Sequence, residues 1–310
     1  MSTALASLEA TPQRSHRFHS ALTSFNTRRL SPRHISSDWA AELKSEYHAR
    51  LDEGHFIESE RRQVRAAALA APVNSDAFLT WYEALRECGP GQSDPLFPWL
   101  ETAASLEQMR WFLSQEAAGE AGFDDLVALT QVKFPVRAKL EMARNYWDEM
   151  GRGHERGMHG PMLGNTVREL DLNPNVADTT WEALALANLM VGLAANRRYA
   201  YHAIGALGVI EMTAPGRVAR VNAGLKRLQV PTSARMYFQL HAGLDVEHSK
   251  SWNAEVIGSL VAADPRVAHP IAEGALMRLN AGARCFRRYR EHFRLDIRQV
   301  LVDSRPLPSA

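Results

Sequence analysis

Between residues 241 and 248 the chain reads His-Ala-Gly-Leu-Asp-Val-Glu-His, with His241, Asp245 and His248 at offsets of zero, four and seven. At about 100° per residue of α-helix, Asp245 and His248 fall within about 40° of His241, so the three side chains share one face. Two imidazoles and a carboxylate on one stripe suit a borderline divalent metal such as iron, manganese or zinc. Glu247 falls off that stripe and is expected in solvent. A surface helix with incidental histidines would carry the same letters. Against that, Tyr237, Phe238, Leu240, Leu244 and Trp252 predict that much of this helix is buried.

Three further groups extend the pattern. Glu211 closes the apolar, glycine-rich run Gly-Ala-Leu-Gly-Val-Ile-Glu that begins at Gly205. A carboxylate there costs several kcal/mol unless it is paired, protonated or bound to a cation, or unless it reaches water at the helix end before Pro215. Glu149 ends one helical pattern and His159 begins the next, with a glycine-spaced turn (Gly151, Gly153, Gly157) between them. His154 and Glu155 fall within that turn, where exposure is expected. Glu116, in Trp-Phe-Leu-Ser-Gln-Glu from Trp111, adds a carboxylate on an amphipathic helix. Together these give four carboxylates (Glu116, Glu149, Glu211, Asp245) and three imidazoles (His159, His241, His248). A helical bundle lined in this way is a known protein solution for two iron or manganese ions.

The elements that must position these groups are helices. Hydrophobic spacing predicts helices around Trp39–Leu51, Phe56–Ala71, Ser75–Cys88, Leu106–Ala118, Phe123–Gln131, Val136–Met150, Met158–Leu170, Thr180–Arg198 and Tyr199–Met212. Pro215 and Pro231 are expected to separate two more, and the last runs from about Pro270 to Phe293. Period-two alternation is almost absent, so the fold class is all-α. Residues 1–36 are rich in Ser, Thr, Arg and His, with Glu9 the only acid, and read as a flexible N-terminal arm without an apolar secretory region. Residues 37–104 read as N-terminal helices packed on the core, 105–295 as the chemistry-bearing bundle and 296–310 as a C-terminal tail.

Composition narrows the function classes. Lys plus Arg number 36 against 35 Asp plus Glu, a net charge of +1 that gives no electrostatic reason for a nucleic-acid or anionic-membrane partner. No apolar run reaches the roughly 18–20 residues of a spanning helix. Two distant cysteines, Cys88 and Cys285, predict neither a zinc cluster nor a disulfide framework, and point to a reducing, cytoplasmic setting.

The run NYWDEMGRGHERGMH, the Gly-rich segment ending in Glu211, and YFQLHAGLDVEH together resemble the iron-containing redox enzymes of the heme-oxygenase-like diiron oxidase and oxygenase superfamily. The likeness covers roughly residues 105–290 and rests on the ordered set E-x9-H, E and H-x3-D-x2-H. It implies a seven-helix heme-oxygenase-like bundle, here with additional N-terminal helices, that holds two non-heme Fe(II) ions and activates O2. By resemblance Glu149 and His159 are ligands flanking the glycine turn, Glu211 is the ligand of the middle core helix, and His241, Asp245 and His248 are those of the later one. Glu116 matches an additional carboxylate of the amine-oxygenating members. The implied reaction is N-oxygenation of a small amine or amino-acid-like metabolite, with oxidative C–C cleavage or desaturation as alternatives. The electrons come from an external donor, a reductase or a small reductant, and a homodimer is the expected assembly.

Two other readings keep a helical bundle. A heme-degrading or cofactor-independent oxidase would leave the ligand-rich helix unexplained, and no motif here matches the proximal heme histidine of a first helix. A non-enzymatic metal-storage scaffold would need paired E-x-x-H motifs, whereas Glu155 and His159 are one residue too far apart.

Overall fold

The computed structural model describes residues 11–32, 34–35 and 38–295, except the side chains at 244–246. The helices in chain order are α1 (Pro12–Leu30), α2 (Trp39–Leu69), α3 (Ser75–Cys88), α4 (Leu96–Thr102), α5 (Leu106–Gly119), α6 (Phe123–Thr130) and α7 (Val136–Glu149). There follow α8 (His159–Glu169), α9 (Trp181–Ala195), α10 (Ala200–Arg227), α11 (Thr232–Ser251), α12 (Ser259–Ala263) and α13 (Ala268–Phe293). No strand occurs among the described residues, as expected for an all-α chain. Nor is any helix among them long and apolar enough to cross a membrane.

Helix α10 is the axis of the bundle, packed against α11 and α13 along much of its length. One apolar core surrounds its first half with Ile57, Phe78, Tyr82 and Trp252. A second surrounds its last turns with Leu100, Phe112, Phe286 and Tyr289. The α10–α13 crossing is very close. A Cβ added at Gly205 would stand 1.9 Å from the Ile271 carbonyl oxygen, and one added at Gly274 would stand 1.9 Å from that of His202. Beside this crossing, Tyr82 donates its hydroxyl to the Gly205 carbonyl at 2.7 Å and the Trp252 indole donates to the Ile204 carbonyl at 3.2 Å. Trp252–Gly258, between α11 and α12, winds with wider i→i+5 hydrogen bonds, a form found mostly as short bulges within helices.

Three expectations are corrected. Residues 12–30 of the expected flexible arm form α1, capped by Thr11 and docked on α9 and α2. The polar residues that suggested mobility make the contacts. Asn26 donates to the Asn188 side chain at 2.9 Å, Asn188 donates to the His19 carbonyl at 3.0 Å, and Arg29 grips Glu53 with two bonds of 2.6 and 3.1 Å. Residues 1–10 and the expected tail at 296–310 lie outside the described residues. The two helices expected on either side of Gly54 are one, α2, because an internal glycine costs only about 1 kcal/mol. Likewise α10 runs straight through Pro215. The roughly 3 kcal/mol penalty of an internal proline is outweighed by the packing of α10 against α11, α13 and α4. Cys88 is exposed and Cys285 buried, and both are free thiols.

Replacing Gly274 by Val should force α10 and α13 apart and lower the unfolding free energy by about 3 kcal/mol or more. Chemical denaturation of the variant checks this.

Candidate metal centre

The turn after α7 explains the E-x9-H spacing. Met150 and Met158 pair as an antiparallel bridge, so Glu149 and His159 are the next residues outward on either side of it. The turn needs left-handed backbone at Gly151 (φ 60°), Arg152 (φ 52°) and Gly153 (φ 84°). Gly151 also lies so close to Gly157 that an added Cβ would stand 2.3 Å from the Gly157 carbonyl carbon. This fold-back delivers the last residue of α7 and the first of α8 to one place, and both are buried. His154 and Glu155 project into solvent from the turn, as expected.

Helices α10 and α11 bring the rest. Glu211, His241 and His248 are all buried. One donor atom each from Glu149, His159 and His241 lies within 4.8 Å of the other two, and the same holds for Glu149, Glu211 and His248. The two groups share Glu149. Asp245 lies within α11, and its side chain lies outside the described residues. Glu247 is exposed and paired with Lys250 at 2.7 Å.

The surrounding hydrogen bonds orient these donors. Nδ1 of His241 lies 2.7 Å from the Tyr237 carbonyl. A carbonyl only accepts, so Nδ1 carries the proton and Nε2 keeps its lone pair. His248 turns Nε2 to the Asp148 carboxylate at 3.1 Å and Nδ1 toward Glu211 at 3.7 Å. Asn145 donates to Glu211 Oε1 at 2.6 Å. Such carboxylate and amide contacts behind a ligand fix its rotamer and tautomer. Asp148 and Asn145 are functional positions that the sequence reading missed, although both lie in the same NYWDE run as Glu149.

Electrostatics here call for a cation. Burial, reinforced by the neighbouring Glu211 carboxylate, pushes Glu149 up to about 9. Burial also pulls His159 and His241 down to about 4, the nearby His248 and His159 respectively adding to it. Glu149 Oε2 approaches His159 Nδ1 to 2.6 Å, yet that nitrogen has no hydrogen-bond partner: the atoms are crowded without being aligned for a shared proton. Neutral imidazoles beside a Glu149 carboxyl that burial keeps from ionising are a donor set that a divalent metal completes. The residues therefore fit iron.

Glu116 is not brought into either group. It lies on α5 facing an adjoining cavity, where Arg278, Arg217 and the Tyr289 hydroxyl surround it, and burial raises its carboxyl above the ordinary range. Glu120, four residues later and just past the end of α5, lines a cavity together with Glu149, Glu211 and His241. The i, i+4 relation of these two glutamates is the only sequence signal that could have suggested Glu120. Tyr199 and His202, on the approach to and in the first turn of the helix that carries Glu211, are engaged elsewhere: Tyr199 donates to Glu58 at 2.9 Å and His202 meets Glu273 at 2.8 Å.

Comparison with known families matches residues 110–283 to the iron-containing redox enzymes. The chain belongs to this family. It is accordingly an oxidoreductase of an iron-containing type, and its all-α architecture is that of the heme-oxygenase-like bundle. A search of the curated proteins finds no match.

Replacing Gly151 by Ala should break the Met150–Met158 pairing and separate Glu149 from His159, lowering bound iron and thermal stability together. Gly160→Ala is the control, since an added Cβ there meets nothing within 4 Å. Iron analysis and a melting curve of each variant check the pair.

Proposed function

We propose that this chain is a non-heme diiron enzyme that uses O2 and electrons from an external donor to oxygenate the nitrogen of a small amine or amino-acid-like metabolite. The observation that carries the diiron reading is the sharing of Glu149 by two buried groups, each with a further donor set of its own. A single-metal site would need only one of them. His159 and His241 with Glu149 would hold one iron, and Glu211 and His248 with Glu149 the other. By the resemblance Asp245 would be a further carboxylate ligand of the pair. Iron in the ferrous state supplies the electrons and the open coordination position that O2 activation requires.

The chain's own residues account for the remaining requirements. The Tyr237 carbonyl and the Asp148 carboxylate fix the orientation of the two α11 imidazoles, leaving one nitrogen of each turned to the cluster. Asn145 keeps the Glu211 carboxylate from swinging away. Phe123, Leu126, Leu186, Met190 and Ile210 line the adjoining cavity with apolar surface, which limits water around the reacting groups and leaves room for a small organic molecule. A substrate amine entering there would meet Glu120 in the cavity wall, a carboxylate whose burial-raised affinity for protons suits it to take one from an ammonium.

Anaerobic titration should find two Fe(II) per chain, and mixing with O2 should give a transient visible absorbance that the correct amine accelerates. Binding of heme with a Soret band and no uptake of Fe(II) would discard the diiron reading. His248→Ala should lower iron stoichiometry and abolish turnover while leaving the helical circular dichroism nearly unchanged. His154→Ala, at an exposed position, should retain wild-type iron content and activity.

A further inference from the structure

The cavity beside the cluster opens into a second one of about 950 Å³. Glu120, Leu186, Ile210, Val218, Tyr237 and Arg278 line both, so the two are chambers of one space. Most of the second chamber is apolar, with Phe97, Phe112, Phe238 and Phe286 among its walls, but Glu116, Glu120, Arg217 and Arg278 also face it. Both glutamates are deep within the molecule yet largely uncovered, because the surface they expose is that of the cavity.

Two arginines and two glutamates inside an apolar chamber are costly unless paired. The salt bridges among the described residues include none that joins an arginine of this set to a glutamate within 4.0 Å. Arg217 is otherwise employed: its guanidinium donates to the Thr213 carbonyl at 2.9 Å and to the Thr213 hydroxyl, and lies 5.3 Å from the Phe286 ring centroid. Glu120 accepts from the Gly122 amide at 3.1 Å. Arg278 has no such employment. Its Nε is buried without a hydrogen-bond partner, and its side chain reaches the junction of the two chambers. A guanidinium fork in an enclosed apolar space matches a planar carboxylate, which can take two parallel hydrogen bonds from it. Glu116, on the same chamber, supplies the complementary anion for an ammonium.

We propose that the second chamber anchors the head group of an amino-acid substrate, Arg278 binding its carboxylate and Glu116 its α-ammonium, so that the side chain extends past Tyr237 toward the cluster. This deepens the oxygenase reading and rests on it for the reaction at the far end, whereas the anchoring itself requires no iron.

The test uses the metal-free full chain and calorimetry with three pairs of probes: L-lysine and cadaverine, L-ornithine and putrescine, L-arginine and agmatine. In each pair the second member lacks only the carboxylate. At least one amino acid should bind, and its partner amine should bind more weakly by about tenfold or more. Arg278→Gln should erase that preference and Arg278→Lys should keep part of it, with circular dichroism confirming the fold. Glu116→Gln should weaken the amino acid without restoring the amine. Because the probes are tested on the metal-free chain, loss of the iron reading would leave this result standing. Equal affinity within every pair for the unmodified protein would overturn the proposal. So would binding of no amino acid, or an unchanged preference in Arg278→Gln.

Discussion

Burying carboxylates beside imidazoles is the interaction on which the rest of this structure depends. Glu149 and Glu211 are removed from water within reach of each other and of three histidines. Burial penalises the charged form of Glu149, and the neighbouring Glu211 carboxylate adds to it, so its carboxyl is held protonated up to about 9. A divalent cation bound here would favour the ionised Glu149 carboxylate and take the lone pairs of the neutral His159 and His241, so that coordination offsets the cost of burial. Any ligand that binds only the folded chain adds to its stability by mass action, so a metal bound here is linked to folding as well as to chemistry.

That cluster can exist only because the surrounding helices are held to tight tolerances. Its donors come from α7, α8, α10 and α11, none of which fixes the others by sequence proximity except across the Gly151–Gly157 turn. The bridge between Met150 and Met158 sets one pair. The glycine crossing at Gly205 and Gly274 sets the depth of α10, and Trp252, just past the end of α11, ties that helix to the Ile204 carbonyl. Asn145 and Asp148 then adjust Glu211 and His248 by direct hydrogen bonds. Preorganisation of this kind is what keeps metal ligands in position before the metal arrives.

What was legible in the sequence followed from local geometry. The spacing of His241 and His248 is a helical period, the E-x9-H spacing is the span of a glycine-rich fold-back, and Glu211 stood out because its apolar neighbours left a carboxylate unexplained. The residues that escaped notice, Asp148, Asn145 and Glu120, are of common types on helices and acquire meaning only through partners on other elements. Glu116 stands outside the two buried groups, and the sequence alone does not show which of Glu116 and Glu120, four residues apart at the end of α5, reaches a given point in space. The N-terminal helix was hidden because its docking uses Asn26 and Arg29 as much as Leu22 and Phe25. Continuity through Pro215 was hidden because tertiary packing decided against the local preference.

The division of labour between helices bears on how such a bundle changes substrate. The proposed iron donors lie on α7, α8, α10 and α11, whereas the charged groups of the outer chamber lie on α5, α10 and α13. Helix α10 alone serves both, carrying Glu211 on one side of Pro215 and Arg217 on the other. Substitutions on α5 or α13 can therefore alter the shape and charge of the outer chamber without touching a residue of the two buried groups. Those on α10 can disturb both at once, because Ile210, Ala214 and Val218 of the helix that carries Glu211 line both cavities. Specificity and metal binding are separable in this architecture to the extent that they avoid α10, which places Arg278, far from the buried groups in sequence yet lining the same space as Glu149 and His241, among the positions best suited to select a substrate.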